Sequence, residues 1–430
     1  MDVIRASIPL FFALIGLELL VARARRRPLY RLADSISDLS CGILSQLAGI
    51  VITLGTIAAF GWVSAHASVQ HVLPVPRWVD TTPVTASGIQ WVALASWTGV
   101  FLLDDLAYYW MHRYSHEVNL LWAGHVVHHS SEEYNLTVAL RQSSLHGFMS
   151  WLFYMPIAFL GVPVMMWVIC HALNLIYQFW IHTRAVDKLG PLELVLNTPS
   201  HHRVHHGVNP EYQDRNYAGV LIVWDRLFGT FEPEQAPPVY GITKPLTSWN
   251  PIRANIHVFV EIWRNVRAAR TWPDRLRSVF GHPGWRPPEV GPPIVPVPVS
   301  PESFRKFEPE VPGPLRAYAL VQFLVVLAGA VALLDAAGRL PLTSALVGGF
   351  WVAISLANIG GMLEARSWAG LSELMRLVAL GGAAALLLLT GAGPVWILAA
   401  GLALAAASGI WVLRLRPLLT SSDARAIVAM

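Results

Sequence analysis

Apolar runs of about 20 residues, the length that crosses a bilayer as a helix, recur along this chain between shorter polar stretches. The first lies near 5–22, the second near 38–64 and the third near 88–110. From Phe148 to His182 the chain is mostly apolar but is broken by Gly161, Val162 and Pro163, which predicts a helical hairpin that dips into the bilayer and returns. Four more runs, near 316–336, 341–360, 371–391 and 394–413, carry almost no polar side chains and are joined by short turns. With both limbs of the hairpin counted, the pattern predicts about nine membrane segments. Residues 183–310 are more polar, with scattered arginines from Arg253 to Arg286 and a proline-rich run from Pro283 to Pro301, and predict a cap outside the bilayer. The expected organisation is N-terminal transmembrane helices in 1–87, a catalytic region with its cap in 88–310, and a four-helix transmembrane region in 311–430.

Composition and charge fix the setting. At 54% hydrophobic, 13% charged and a mean hydropathy of +0.47, the chain is far from a soluble protein, in which about a quarter of residues are charged. Arg23, Arg25, Arg26 and Arg27 follow the first apolar run, the reverse of a cleavable signal peptide, and mark the cytoplasmic side. The N-terminus is then outside, the loop around Pro74 and Pro76 is non-cytoplasmic, and the third run delivers His112 to the cytoplasmic interface. Arg366, Arg414 and Arg416 fall on the predicted inside. The net charge of +4 sits beside apolar runs, which reads as topology and excludes nucleic acid as a partner. Cys41 and Cys170 both lie in apolar stretches and imply no disulfide framework.

The chemistry is concentrated in histidine. His112 and His116 are four apart; His125, His128 and His129 are spaced three and one; His202, His205 and His206 repeat that spacing; His182 stands at the hairpin exit. Residues three and four apart share a helix face, so these nine are candidate metal ligands, and nine donors imply two metals. All-nitrogen donors suit iron, zinc or copper better than magnesium or calcium. So many titratable groups at a bilayer edge cost free energy that packing alone would not recover.

A lone membrane histidine is ordinarily a packing residue, and His146, His171 and His257 are read that way. His201 stands outside the spacing, and both readings stay open for it. Asp105, two turns before His112 with Tyr109 between them, is placed either to orient a ligand imidazole or to be a buried charge paired with an arginine. His171, Asn174, Gln178 and His182 form a polar stripe expected to face the site. Glu117, Glu132 and Glu133 are candidate supporting carboxylates or solvated interface groups. A metal transporter would set its ligands along a path at mid-membrane, whereas these gather at span ends.

The three boxes, H-x3-H, H-x2-H-H and H-x2-H-H, in that order, resemble the fatty acid hydroxylase and sterol desaturase superfamily. The words HEVNLLWAGHVVHHSSEEYNL, QFWIHT, NTPSHHRVHHG and NYAGVLIVWDRLFGTF are similar to its tetrahydrobiopterin-dependent glyceryl-ether oxygenase branch. The resemblance implies an all-α polytopic membrane bundle with a cytosolic histidine-rich di-metal cap. It also implies two iron ions, for which zinc is a possible substitute, with O2 and a membrane lipid as substrates and Glu117 as a needed glutamate. The electron donor is a pterin or a redox protein, and the reaction hydroxylation of a lipid alkyl chain, ether cleavage, or sterol or fatty-acyl desaturation.

Overall fold

The computed structural model describes residues 3–73, 79–80, 90–391 and 393–420; the loop expected around Pro74 and Pro76 lies outside the described residues. The described residues are helical, with two isolated β-bridges, Leu196 to Leu221 and Gly207 to Tyr240. They divide into two compact units, Met1–Leu246 with Asn255–Arg305, and Thr247–Ala254 with Lys306–Met430.

In the first unit, α1 (Val3–Ala24) and α2 (Leu32–His66) are long and apolar, and α3 (Trp91–Glu117) carries the first histidine pair. A short break at Val118 leads into α4 (Asn119–His129). The expected hairpin is present with unequal limbs. Its first is a chain of short helical turns over His146–Ser150, Trp151–Tyr154 and Met155–Phe159. Gly161, at φ +83°, turns the chain, and α5 (Val164–Trp180) returns. At about 1.5 Å per residue, seventeen residues fall short of a bilayer core.

Six helices among the described residues are long and apolar enough to cross a membrane, fewer than the nine segments expected. The difference lies in the hairpin limbs, which are too short, and in α3, which buries Asp104 and Asp105 within its apolar run. Those carboxylates explain the polar stripe of α5. Asp104 accepts from Trp167 Nε1 at 3.1 Å and Asn174 Nδ2 at 3.3 Å, and lies 3.1 Å from His171 Nδ1. Around them pack Phe60, Val100, Tyr154, Ile157 and Trp167, with Phe60 stacked on Trp167 at 4.3 Å. Burying an unpartnered charge would cost several kcal/mol, so this stripe is what lets α3 and α5 pack.

The polar region after α5 is mostly irregular. It holds α6 (Pro199–His205), α7 (Val223–Phe228), α8 (Pro251–Ala268) and α9 (Trp272–Phe280).

In the second unit, α10 (Gly313–Ala336), α11 (Leu342–Leu363), α12 (Ser367–Leu389) and α13 (Val395–Thr420) form four long helices. They are less uniformly apolar than expected. Arg376 donates to Glu373 at 2.6 and 2.7 Å and to Gln322 at 2.7 Å, and Tyr318 donates to Glu373 at 2.6 Å. One polar residue per few turns leaves the hydropathy of each span high, which is why this buried network is hidden in the pattern.

Candidate metal centre

All nine candidate histidines come together. They form two groups, His112, His116, His125, His129 and His205, and then His128, His182, His202 and His206. Within each group the ligand atoms all lie within 4.8 Å of one another. The division follows from helix geometry. On α4, residues four apart differ by about 40° and residues three apart by about 60° in the opposite sense. His125 and His129 therefore face one group while His128 faces the other. On α6 the same rule sends His202 and His206 to one group and His205 to the other, so the middle histidine of each three-residue box crosses over.

The hydrogen bonds assign the lone pairs. His112 Nδ1 lies 2.7 Å from Tyr217 O, His128 Nδ1 3.2 Å from Arg141 O, His182 Nδ1 2.7 Å from Gln178 O and His205 Nδ1 2.9 Å from Arg215 O. A carbonyl only accepts, so in each neutral ring Nδ1 carries the proton and Nε2 the lone pair. His128 and His182 then face each other Nε2 to Nε2 at 3.2 Å, acceptor against acceptor. His112 Nε2 lies 3.0 Å from His125 Nε2, and His202 Nε2 lies 3.0 Å from His182 Nε2. His116 Nε2 and His205 Nε2 are buried without a hydrogen-bond partner. Converging buried lone pairs are unfavourable unless a cation lies between them, so the donor set fits one metal ion per group.

Burial pushes the pKa of the eight box histidines below the ordinary histidine value, His116 to about 4. The rings are therefore held neutral, as metal ligation requires.

The carbonyls that orient these rings are held in turn. The loop carrying Arg215 and Tyr217 has Asp214 and Asn216 in the left-handed region, at φ 58° and 55°. Asp225, fully buried, accepts from Tyr217 N and Ala218 N at 2.8 Å each. Asp105 accepts from Val220 N at 2.8 Å, Leu221 N at 3.0 Å, Trp224 Nε1 at 2.9 Å and Asn174 Nδ2 at 3.0 Å. Two aspartates thus clamp one loop. Asp105 does not bond an imidazole as expected; it acts one step further out, on the loop whose Tyr217 carbonyl meets His112.

Glu117 closes α3. It is partly exposed and accepts from Arg113 Nε at 2.8 Å, an ion pair one turn apart on α3, and it belongs to neither histidine group. Glu132 and Glu133, readable as solvated, are buried and paired with Arg31 at 3.4 and 2.9 Å, and Arg184 joins Glu133 at 2.8 Å. His146 lies against His125 with ring centres 5.4 Å apart and His171 against Trp167, both outside the groups, as is His257. His201 is buried against Phe231 and 4.0 Å from Glu193, again outside them.

Three supporting residues escaped the sequence. Arg141 donates to Val127 O at 2.7 Å and Asp38 at 3.0 Å while its own carbonyl meets His128. Glu18, buried in α1, accepts from Leu136 N at 2.9 Å and from the Tyr30 and Thr183 hydroxyls. Asp225 is the third. Each is a single charged letter whose partners, a mixture of backbone and side-chain atoms, recur at no regular spacing, so the pattern does not reveal it.

Six long apolar helices and two buried histidine groups define an integral, multi-pass membrane protein with a histidine metal site. Residues 97–230 match the fatty acid hydroxylase family. The chain is 37% identical to an alkylglycerol monooxygenase of Xenopus tropicalis, over 87% of this chain and 80% of that protein. It is likewise 37% identical to the alkylglycerol monooxygenase of Homo sapiens, over 87% of this chain and 81% of that one. The ornithine lipid hydroxylase OlsE of Rhizobium tropici is 30% identical over 33% of this chain and 44% of its own length. No solved structure matches the chain. The chain belongs to the fatty acid hydroxylase family and is a membrane oxidoreductase of it.

Proposed function

We propose that the nine histidines hold two iron ions and that the chain is a monooxygenase acting on a lipid alkyl chain, at the carbon beside the ether oxygen of an alkylglycerol. The observation that carries this is the convergence of neutral imidazole lone pairs into two adjoining groups. The breadth of the likeness to the alkylglycerol monooxygenases, 87% of the chain, supports an alkylglycerol as the substrate. The ions, when bound, supply dioxygen activation. In balance, the ether carbon, O2, two electrons and two protons give a hemiacetal and water, and the hemiacetal divides into an aldehyde and an alcohol.

The chain's own residues set the geometry. Tyr217 O, Arg141 O, Gln178 O and Arg215 O hold the protons of four ligand rings and so aim their Nε2 atoms inward. Asp105 and Asp225 fix the loop behind two of those carbonyls, and the near-complete burial of the histidines keeps water away from their rings.

In this reading the site lies on the cytoplasmic face, tetrahydrobiopterin supplies the electrons, residues 88–310 form the catalytic region between 1–87 and 311–430, and Glu117 acts through Arg113. Membranes containing the protein, supplied with an alkylglycerol and O2, should release a fatty aldehyde when given tetrahydropterin. Turnover only with a reductase and its redox protein would move the reading toward the lipid hydroxylases. No oxygen-dependent product under either regime would overturn it.

A further inference from the structure

Helices α8 and α9 turn an unusual surface outward. From Asn255 on, α8 buries Asn255, Ile262 and Asn265 and exposes Ile256, Val260 and Trp263, spaced four and three apart on one face. On α9, Ser278 is buried while Trp272, Leu276 and Phe280, four apart, are exposed. Trp263 is 61% and Trp272 71% exposed, which in water would leave two large indoles unsheltered. Arginines flank both: Arg267 lies over the Trp263 ring at 5.8 Å and Arg275 over Trp272 at 5.5 Å.

The charge of this segment is one-sided. Residues 255–280 hold five arginines against Glu261 and Asp274, a balance of +3. The whole chain carries +4, so this stretch bears three of its four excess positive charges. Aromatic and aliphatic stripes edged with arginine suit a surface that is apolar below and anionic above, which describes a bilayer interface rich in acidic lipid. A chain anchored by transmembrane helices holds such a segment close to that surface.

We propose that α8, from Asn255, and α9 form a basic, aromatic belt that seats on an anionic membrane leaflet. Seating bears on the metal centre through α4. Asn119, its first residue, donates its backbone N–H to Gly281 O at 2.9 Å and its Nδ2 to Ser278 O at 2.8 Å, at the end of α9. Lipid that holds α9 therefore steadies the helix that presents His125, His128 and His129.

The test uses the full chain in nanodiscs of phosphatidylcholine alone or mixed with phosphatidylglycerol. Cys41 and Cys170 are buried, so a nitroxide placed through Trp263→Cys or Trp272→Cys reports the belt. In the anionic discs the label should be protected from aqueous chromium oxalate and open to oxygen, and less so in neutral discs. Joint Arg264→Glu, Arg267→Glu and Arg275→Glu changes should release it at unchanged metal content. Each arginine at an anionic surface is worth about fivefold in the seated population. Equal exposure to water in both discs would overturn the proposal. So would protection indifferent to lipid charge, or protection that vanishes on dilution as a contact between copies would.

Discussion

His128 and His205 are the residues whose removal reads the two groups apart, because each leaves the other two histidines of its box in place. His128→Ala leaves three donors in the four-histidine group, and His205→Ala leaves four in the five-histidine group. Metal analysis of the purified protein should therefore show a fall from about two ions per chain toward one for His128→Ala, and a smaller loss for His205→Ala. Unchanged content in both would detach these residues from the metals. Neutral burial also sets a pH dependence for the metal-free protein. The folded box histidines titrate below the ordinary value of about 6.5, so as pH falls the unfolded chain takes up protons that the folded chain refuses. Stability is complete above that value and is lost as pH falls toward about 4, where His116 itself titrates. Thermal unfolding of metal-free protein should show the melting temperature dropping steadily through this window, and a flat profile would contradict neutral burial.

At the level of elements, the loop from Asp214 to Leu221 matters most, since it presents two ring-holding carbonyls and is held by two aspartates. Gly219 lets it lie close to α3 and α5. A Cβ there would come 2.7 Å from Asn174 Oδ1 and 2.9 Å from Asp105 Oδ1. Gly219→Ala should push the loop off Asp105 and disturb His112 through Tyr217 O. Spectroscopy of the loaded protein should then report a changed environment at the five-histidine group with the four-histidine group intact; an unchanged spectrum would show that the clamp does not govern His112. Asp225→Ala is harsher, leaving the amides of Tyr217 and Ala218 without their acceptor, at about 1–3 kcal/mol for each. Little of this loop was legible beforehand. The gathering of the box histidines was, because metal-binding histidines on helices recur at three and four, although His128 and His205 part from their neighbours three residues back into the opposite group and His182 belongs to no such spacing. The roles of Asp105 and Glu117 were not. Two turns along α3 put Asp105 on the stripe of His112, but a carboxylate at that depth is drawn first to unpaired backbone amides. Glu117 finds Arg113 one turn back, and the sequence does not say which way that pair leans.

At the scale of the whole chain, the second unit poses the question of why a four-helix membrane bundle keeps a charged pair inside it. Glu373 and Arg376 are each nearly fully buried and one turn apart on α12. Between them they reach Tyr318 and Gln322 on α10 and Asn358 on α11, the last at 3.4 Å, and Gln322 receives Arg376 while donating to Ser408 on α13 at 2.9 Å. All four helices thus meet at one polar node. In a bilayer the apolar surfaces of the helices have no drive to prefer one another over lipid, so a node of this kind selects the arrangement. Removing one charge strands the other, and breaking a buried pair costs about 3–5 kcal/mol. Arg376→Met should therefore destabilise this unit strongly, whereas Glu373→Met with Arg376→Met should restore much of the loss, because a buried pair replaced by apolar side chains is often neutral. Unfolding of the four proteins in one double-mutant cycle measures the coupling directly. A double variant as unstable as the sum of the single ones would show that the two charges contribute independently and that the node does not act as a unit.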